Sequence, residues 1–134
     1  PAGMADVVSA ISDISFSPDG NYIFARDYLS IKVWDIRKKS EPISIIRSNE
    51  YIRPLVPSLY EINCTFDKFD LCVSPTGEKV FSGSYNNRFS ICNKNNDNMI
   101  NLKIPTKGVL EEDIYINGLI NNKYYSQDAS NCSR

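Results

Sequence analysis

The residues of this chain that could do chemistry are four cysteines, Cys64, Cys72, Cys92 and Cys132, and one acidic run, Glu111-Glu112-Asp113. A structural zinc ion needs ligands gathered by short spacings such as C-x-x-C, often completed by histidine. Here the cysteines stand 8, 20 and 40 residues apart, and the chain has no histidine. That pattern argues against a zinc site and removes Ser-His-Asp and Cys-His nucleophiles. Neither G-x-S-x-G nor G-x-x-x-x-G-K-[ST] occurs, so no nucleophile elbow or phosphate loop is expected. The acidic run reads as a solvated turn, because a hard cation would need further convergent oxygens. The expectation is a chain with no cofactor, no metal and no catalytic residues, its thiols reduced.

Composition narrows the remaining classes. The 134 residues are 42% hydrophobic and 23% charged, with a net charge of −1, as in an ordinary globular domain. No global field draws the chain to nucleic acid or to an anionic membrane. No apolar run approaches the roughly 18 residues of a membrane span. Pro1 to Asp6 lack the charged start and apolar stretch of a secretory signal. The basic Arg37-Lys38-Lys39 is expected in a solvated loop.

The elements that this sequence builds are short strands between turns. Ile14 and Phe16 alternate with Asp13 and Ser15, predicting a strand half-buried through its two apolar residues. Ser17-Pro18-Asp19-Gly20 is a turn, with proline setting one dihedral and glycine accepting the left-handed one. Tyr22 to Ala25 is a strand, Arg26-Asp27-Tyr28 a turn, Ile31 to Ile36 a strand ending in Trp34-Asp35, and Pro42 to Ile46 an outer strand. A second copy follows: Phe69 to Val73, the turn Ser74-Pro75-Thr76-Gly77, Lys79 to Ser82, the turn Ser84 to Asn87, and Arg88 to Asn93. Asn93 to Asn98 is expected as a polar turn before Ile100, Leu102 and Ile104, which alternate as a fourth strand. The Trp-Asp ending and the four-strand repeat are the marks of a WD40 propeller blade. In that reading Trp34 plugs the core between blades, Asp35 leaves the strand toward solvent, and Asp27 with Trp34 forms the polar network of the turn. A third unit begins near Ile114. Two blades and a piece cannot close a ring of typically 4–8 blades, so a fragment of a longer protein is expected, the alternative being closure by assembly with other copies.

The fold class is therefore all-β: a WD40 propeller fragment of two four-stranded antiparallel blades and part of a third. The boundaries fall at about 7–46 for one blade, 47–68 for an insert, 69–104 for the next blade and 111–134 for the partial one. Open strand edges in such a fragment predict self-association.

Three segments resemble one family, the B-type WD40 regulatory subunits of serine/threonine protein phosphatase 2A. They are Ile11-Ser12-Asp13 leading to Arg26-Asp27-Tyr28-Leu29-Ser30, then Ser58-Leu59-Tyr60-Glu61 with Phe66-Asp67-Lys68-Phe69, then Gly83-Ser84-Tyr85-Asn86-Asn87. The sequence departs from that family in its short linker Pro105 to Leu110, and at Asn63, where the family tends to carry a carboxylate. The resemblance implies a non-catalytic subunit that docks phosphoprotein substrates on the top face of the propeller. It also implies a scaffold subunit and a catalytic subunit as partners, no nucleic acid or membrane, and a cytoplasmic location with the nucleus left open. Carried onto this sequence, the docking platform comprises Tyr60, Glu61, Phe66, Asp67 and Lys68. Two readings of that insert stand side by side: Tyr60 and Phe66 cap the blade core, or they face a partner as aromatic anchors. The rival function is a WD40 scaffold unrelated to any phosphatase.

Overall fold

The computed structural model describes residues 3–38, 40–63 and 67–103, with the backbone alone for 96–98. The expected partial blade at 111–134 lies outside these residues, as do Phe66, Ile104, the linker Pro105 to Leu110 and the acidic run.

A short helix α1 (Met4–Ser9) precedes strands β1 (Asp13–Phe16), β2 (Tyr22–Arg26), β3 (Ile31–Asp35) and β4 (Ser44–Ile46). A 3-10 helix (Glu50–Leu55) runs into α2 (Val56–Glu61), and β5 (Leu71–Val73), β6 (Lys79–Gly83), β7 (Arg88–Asn93) and β8 (Asn96–Lys103) follow. The strands make two antiparallel sheets, ordered β1-β2-β3-β4 and β5-β6-β7-β8. Each is a propeller-type blade of four strands joined in sequence.

The repeat appears in the turns. Gly20 N–H donates to Ser17 O and Gly77 N–H to Ser74 O, both at 2.9 Å. The glycines hold φ of 71° and 73°, which side chains rarely accept. Each serine hydroxyl then accepts the next strand's first amide, Tyr22 N–H at 3.0 Å and Lys79 N–H at 3.1 Å. At the opposite end of the second blade, Asn86 and Asn87 both hold positive φ, of 62° and 54°, as a tight turn between twisted strands requires. The hairpin from β7 to β8 is tighter than the sequence suggested. Pairing resumes at Asn96, opposite Asn93, with a register irregularity at Cys92 and Asn93.

The blades meet through Phe24, Ile31, Val33 and Ile46 on one side and Leu71, Val80 and Cys92 on the other. Burying one such side chain contributes about 1.5–3 kcal/mol. Three expectations are corrected here. Ile14 and Phe16 are 57% and 61% exposed, while Asp13 and Ser15 are half-buried on the other face of the strand. The reason is that Asp13 is a bridge: its Oδ2 accepts Leu71 N–H of β5 at 2.8 Å. Trp34 is only half-buried and lies on the face opposite Val33, opposite Ile23 in the register, so it stays out of the core between these two blades. Asp35 is buried, not solvent-bound. Its carboxylate takes Arg37 Nε at 2.8 Å, Nη2 at 2.7 Å and the Arg37 amide at 3.0 Å, so the turn folds back over it.

A second core joins the insert to the blades. Ile52, Leu55, Val56 and Leu59 pack on Tyr28, Leu29 and Tyr85, with Tyr51 and Phe69 beside them. Pro57 stands at the start of α2, where a missing amide proton costs little; Pro54 lies inside the 3-10 helix. Asn63, at φ 56°, closes α2 by donating its amide to Tyr60 O at 3.1 Å. That conformation suits asparagine and gives a local reason for its presence.

Candidate docking site on the insert

The end of the blades that carries the site is built on Asp27. Its Oδ1 accepts Leu29 N–H at 3.0 Å and Ser30 N–H at 2.7 Å. Its Oδ2 accepts the Ser30 hydroxyl at 2.9 Å and pairs with Lys32 Nζ. The expected network thus fixes the turn through Asp27, but Trp34 takes no part in it among the described residues. Lys32 supplies the cation instead.

Tyr28 and Tyr85 stand at the same place in the two repeats, and they touch. Their hydroxyls bond at 2.8 Å, and Tyr85 donates to Asp67 Oδ2 at 2.5 Å. With its one proton committed to Asp67, Tyr85 must accept from Tyr28. Burial, then the neighbouring Tyr28 and Asp67, push the Tyr85 phenol far above its ordinary range. Phe69 packs edge-on to Tyr85 at 5.1 Å between centroids. Asn49 adds a second tie: its amide donates to Leu29 O at 2.9 Å, its Nδ2 to Tyr28 O at 3.1 Å, and its Oδ1 accepts the Ser84 hydroxyl. The insert is therefore anchored to the turns of both blades at once.

Beneath it lies Arg26, wholly buried. Its guanidinium bonds Ser48 Oγ and lies 5.2 Å from the Phe69 ring centroid, while Nε and Nη2 have no partner among the described residues. Burial lowers its pKa to about 10, which leaves it charged near neutrality. The sequence reading passed over Arg26, Asn49 and Tyr85 as site-builders. The 57-residue offset between Tyr28 and Tyr85, equal to the offset of the two Ser-Pro-x-Gly turns, was the available signal.

On this base the predicted platform residues part company. Leu59 is buried against the second core, whereas Tyr60, next along α2, is half-buried and Glu61 is exposed. Asp67 and Lys68 are exposed as well, though Asp67 is already engaged by Tyr85. Tyr60, Glu61, Asp67 and Lys68 are thus all at least partly accessible to solvent; Phe66 is outside the described residues. Among the described residues, no group of three or more potential ligands could hold a metal ion.

No protein-family model matches the chain. The chain is similar to the protein phosphatase PP2A 55 kDa regulatory subunit of Drosophila melanogaster, with 40% identity over 99 residues. Over that stretch the match supports the resemblance to the B-type regulatory subunits of protein phosphatase 2A. The match covers 74% of the chain but 20% of the relative, so the chain spans about one fifth of the length of the protein it matches.

Proposed function

We propose that the full-length protein is a non-catalytic regulatory subunit of a protein phosphatase 2A assembly, and that this part of it docks phosphoprotein substrates. The observation that carries the reading is the division of labour in the insert. Ile52, Leu55, Val56 and Leu59 are spent on holding it in place, and Tyr60, Glu61 and Lys68 are left at its surface. An aromatic ring beside charges on a rigid base is the composition of an interface hot spot, since little side-chain entropy is lost on contact. Docking raises the effective concentration of a phosphorylated residue at a catalytic subunit elsewhere in the assembly. A scaffold subunit and a catalytic subunit are the proposed partners, in the cytoplasm with the nucleus as a second compartment. Co-purification of the full-length protein with such a pair tests the reading. Recovery of the protein without either subunit would favour a scaffold unrelated to phosphatase.

A further inference from the structure

Between α1, β3, β4 and the 3-10 helix lies a groove of about 310 Å³. Its walls carry three cations, Lys32, Arg47 and Arg53, against two carboxylates, Asp27 and Glu50, with Ser9 at one side. Both carboxylates are committed. Asp27 is held by the Ser30 hydroxyl, two backbone amides and Lys32. Glu50 is held at both oxygens by Arg53, through Nε and through Nη2 at 3.0 Å. Arg47 is exposed and makes no ion pair among the described residues. The groove therefore carries one guanidinium beyond its two ion pairs, near Glu50 but not paired with it, and its planar fork suits carboxylate or phosphoryl oxygens.

We propose that this groove takes an anionic side chain, carboxylate or phosphoryl, of the protein docked on the insert, with Arg47 as its main contact. The proposal rests on the docking reading above. Arg53 and Tyr60 are seven residues apart along the two short helices. At a rise of about 1.5–2.0 Å per residue this is at most about 14 Å. An extended segment covers that distance in roughly four residues, so one docked segment reaches both places.

The test uses the full-length protein and three fluorescent peptides of equal length, one rich in glutamate, one carrying phosphoserine and one with glutamine in place of glutamate. The expected result is salt-sensitive binding of an acidic peptide that Arg47→Glu weakens about three- to tenfold. Lys79→Glu, at an exposed position on β6, should leave the affinity within about twofold of wild type. A preference between the glutamate and phosphoserine peptides identifies which anion the groove takes. Equal losses for Arg47→Glu and Lys79→Glu, or equal binding of the glutamine peptide, would overturn the proposal. Failure here with substrate recruitment still dependent on Tyr60 and Lys68 leaves the docking reading standing. Loss of that dependence would remove the docking reading itself.

Discussion

Replacing Asp27 should loosen one turn far more than its neighbours, and by an amount that depends on what replaces it. Asp27→Ala strips two buried amides, Leu29 N–H and Ser30 N–H, of the acceptor they share. An unsatisfied buried donor costs about 1–3 kcal/mol. The turn can recover part of this by opening to water, so the expected loss is about 3 kcal/mol rather than the sum of the upper values. Lys32 also loses its anion, but its side chain is partly solvated and that term is small. Asp27→Asn behaves differently. It keeps one oxygen for the two amides and gives up only the pairing with Lys32 and the Ser30 contact at Oδ2, about 1 kcal/mol. Hydrogen exchange read on a peptide spanning residues 27–33 of the full-length protein separates the cases. At 1.4 kcal/mol per factor of ten, Asp27→Ala should speed exchange of Leu29 and Ser30 by roughly two orders of magnitude, and Asp27→Asn by about fivefold. Wild-type exchange in both variants would refute the claim that this carboxylate holds the turn.

Tyr85→Phe removes the hydroxyl that links Tyr28 to Asp67 while keeping the ring against Phe69. It should cost about 1–2 kcal/mol in denaturant unfolding, and Tyr85→Ala, which also empties the ring site, about 3–5 kcal/mol. The pH response should come from the two turns. The Ser17 hydroxyl and the side chain and backbone of Asn21 hold Asp19 at about 2, and the side chain and amide of Arg37 hold Asp35 at about 2, both against an ordinary 3.8. Folded-state pKa values below the unfolded ones mean stabilisation that is complete above about pH 4 and is lost as the pH falls toward 2. Melting curves of Asp19→Asn and Asp35→Asn should therefore vary less with pH in that window than those of the wild type. An unchanged slope would count against both assignments.

Much of the architecture was legible because turn chemistry is local. The serine, proline and glycine of the two Ser-Pro-x-Gly turns each carry out a task defined within six residues, so their types announce the turn. The faces of the strands were not legible in the same way. Alternation divides Asp13 and Ser15 from Ile14 and Phe16, but it does not say which pair meets the next blade. Both faces of a blade can pack in a propeller, so polarity alone is a poor guide, and the bridge from Asp13 to Leu71 spans 58 residues. For this pair of blades Trp34 and Asp35 exchanged faces in the same way. The candidate site was legible only in outline. Its surface residues follow from the family-like segment, whereas the contacts that seat it, Tyr28 with Tyr85, Asn49 with Ser84 and Arg26 with Ser48, join residues more than 20 positions apart. Such pairs leave no local pattern.

The most direct test of the docking reading measures substrate affinity and thermal stability on the same variants, Tyr60→Ala and Lys68→Ala, in the full-length protein assembled with its scaffold and catalytic subunits. An aromatic anchor is worth roughly 2 kcal/mol, about a thirtyfold loss of affinity, and a rim cation less, with a stronger response to salt. The expected result is weaker substrate capture by both variants, with melting temperature and subunit assembly close to wild type. Unchanged capture accompanied by a large drop in the melting temperature of Tyr60→Ala would show that the ring is core, and would contradict the assignment of this insert as a docking surface.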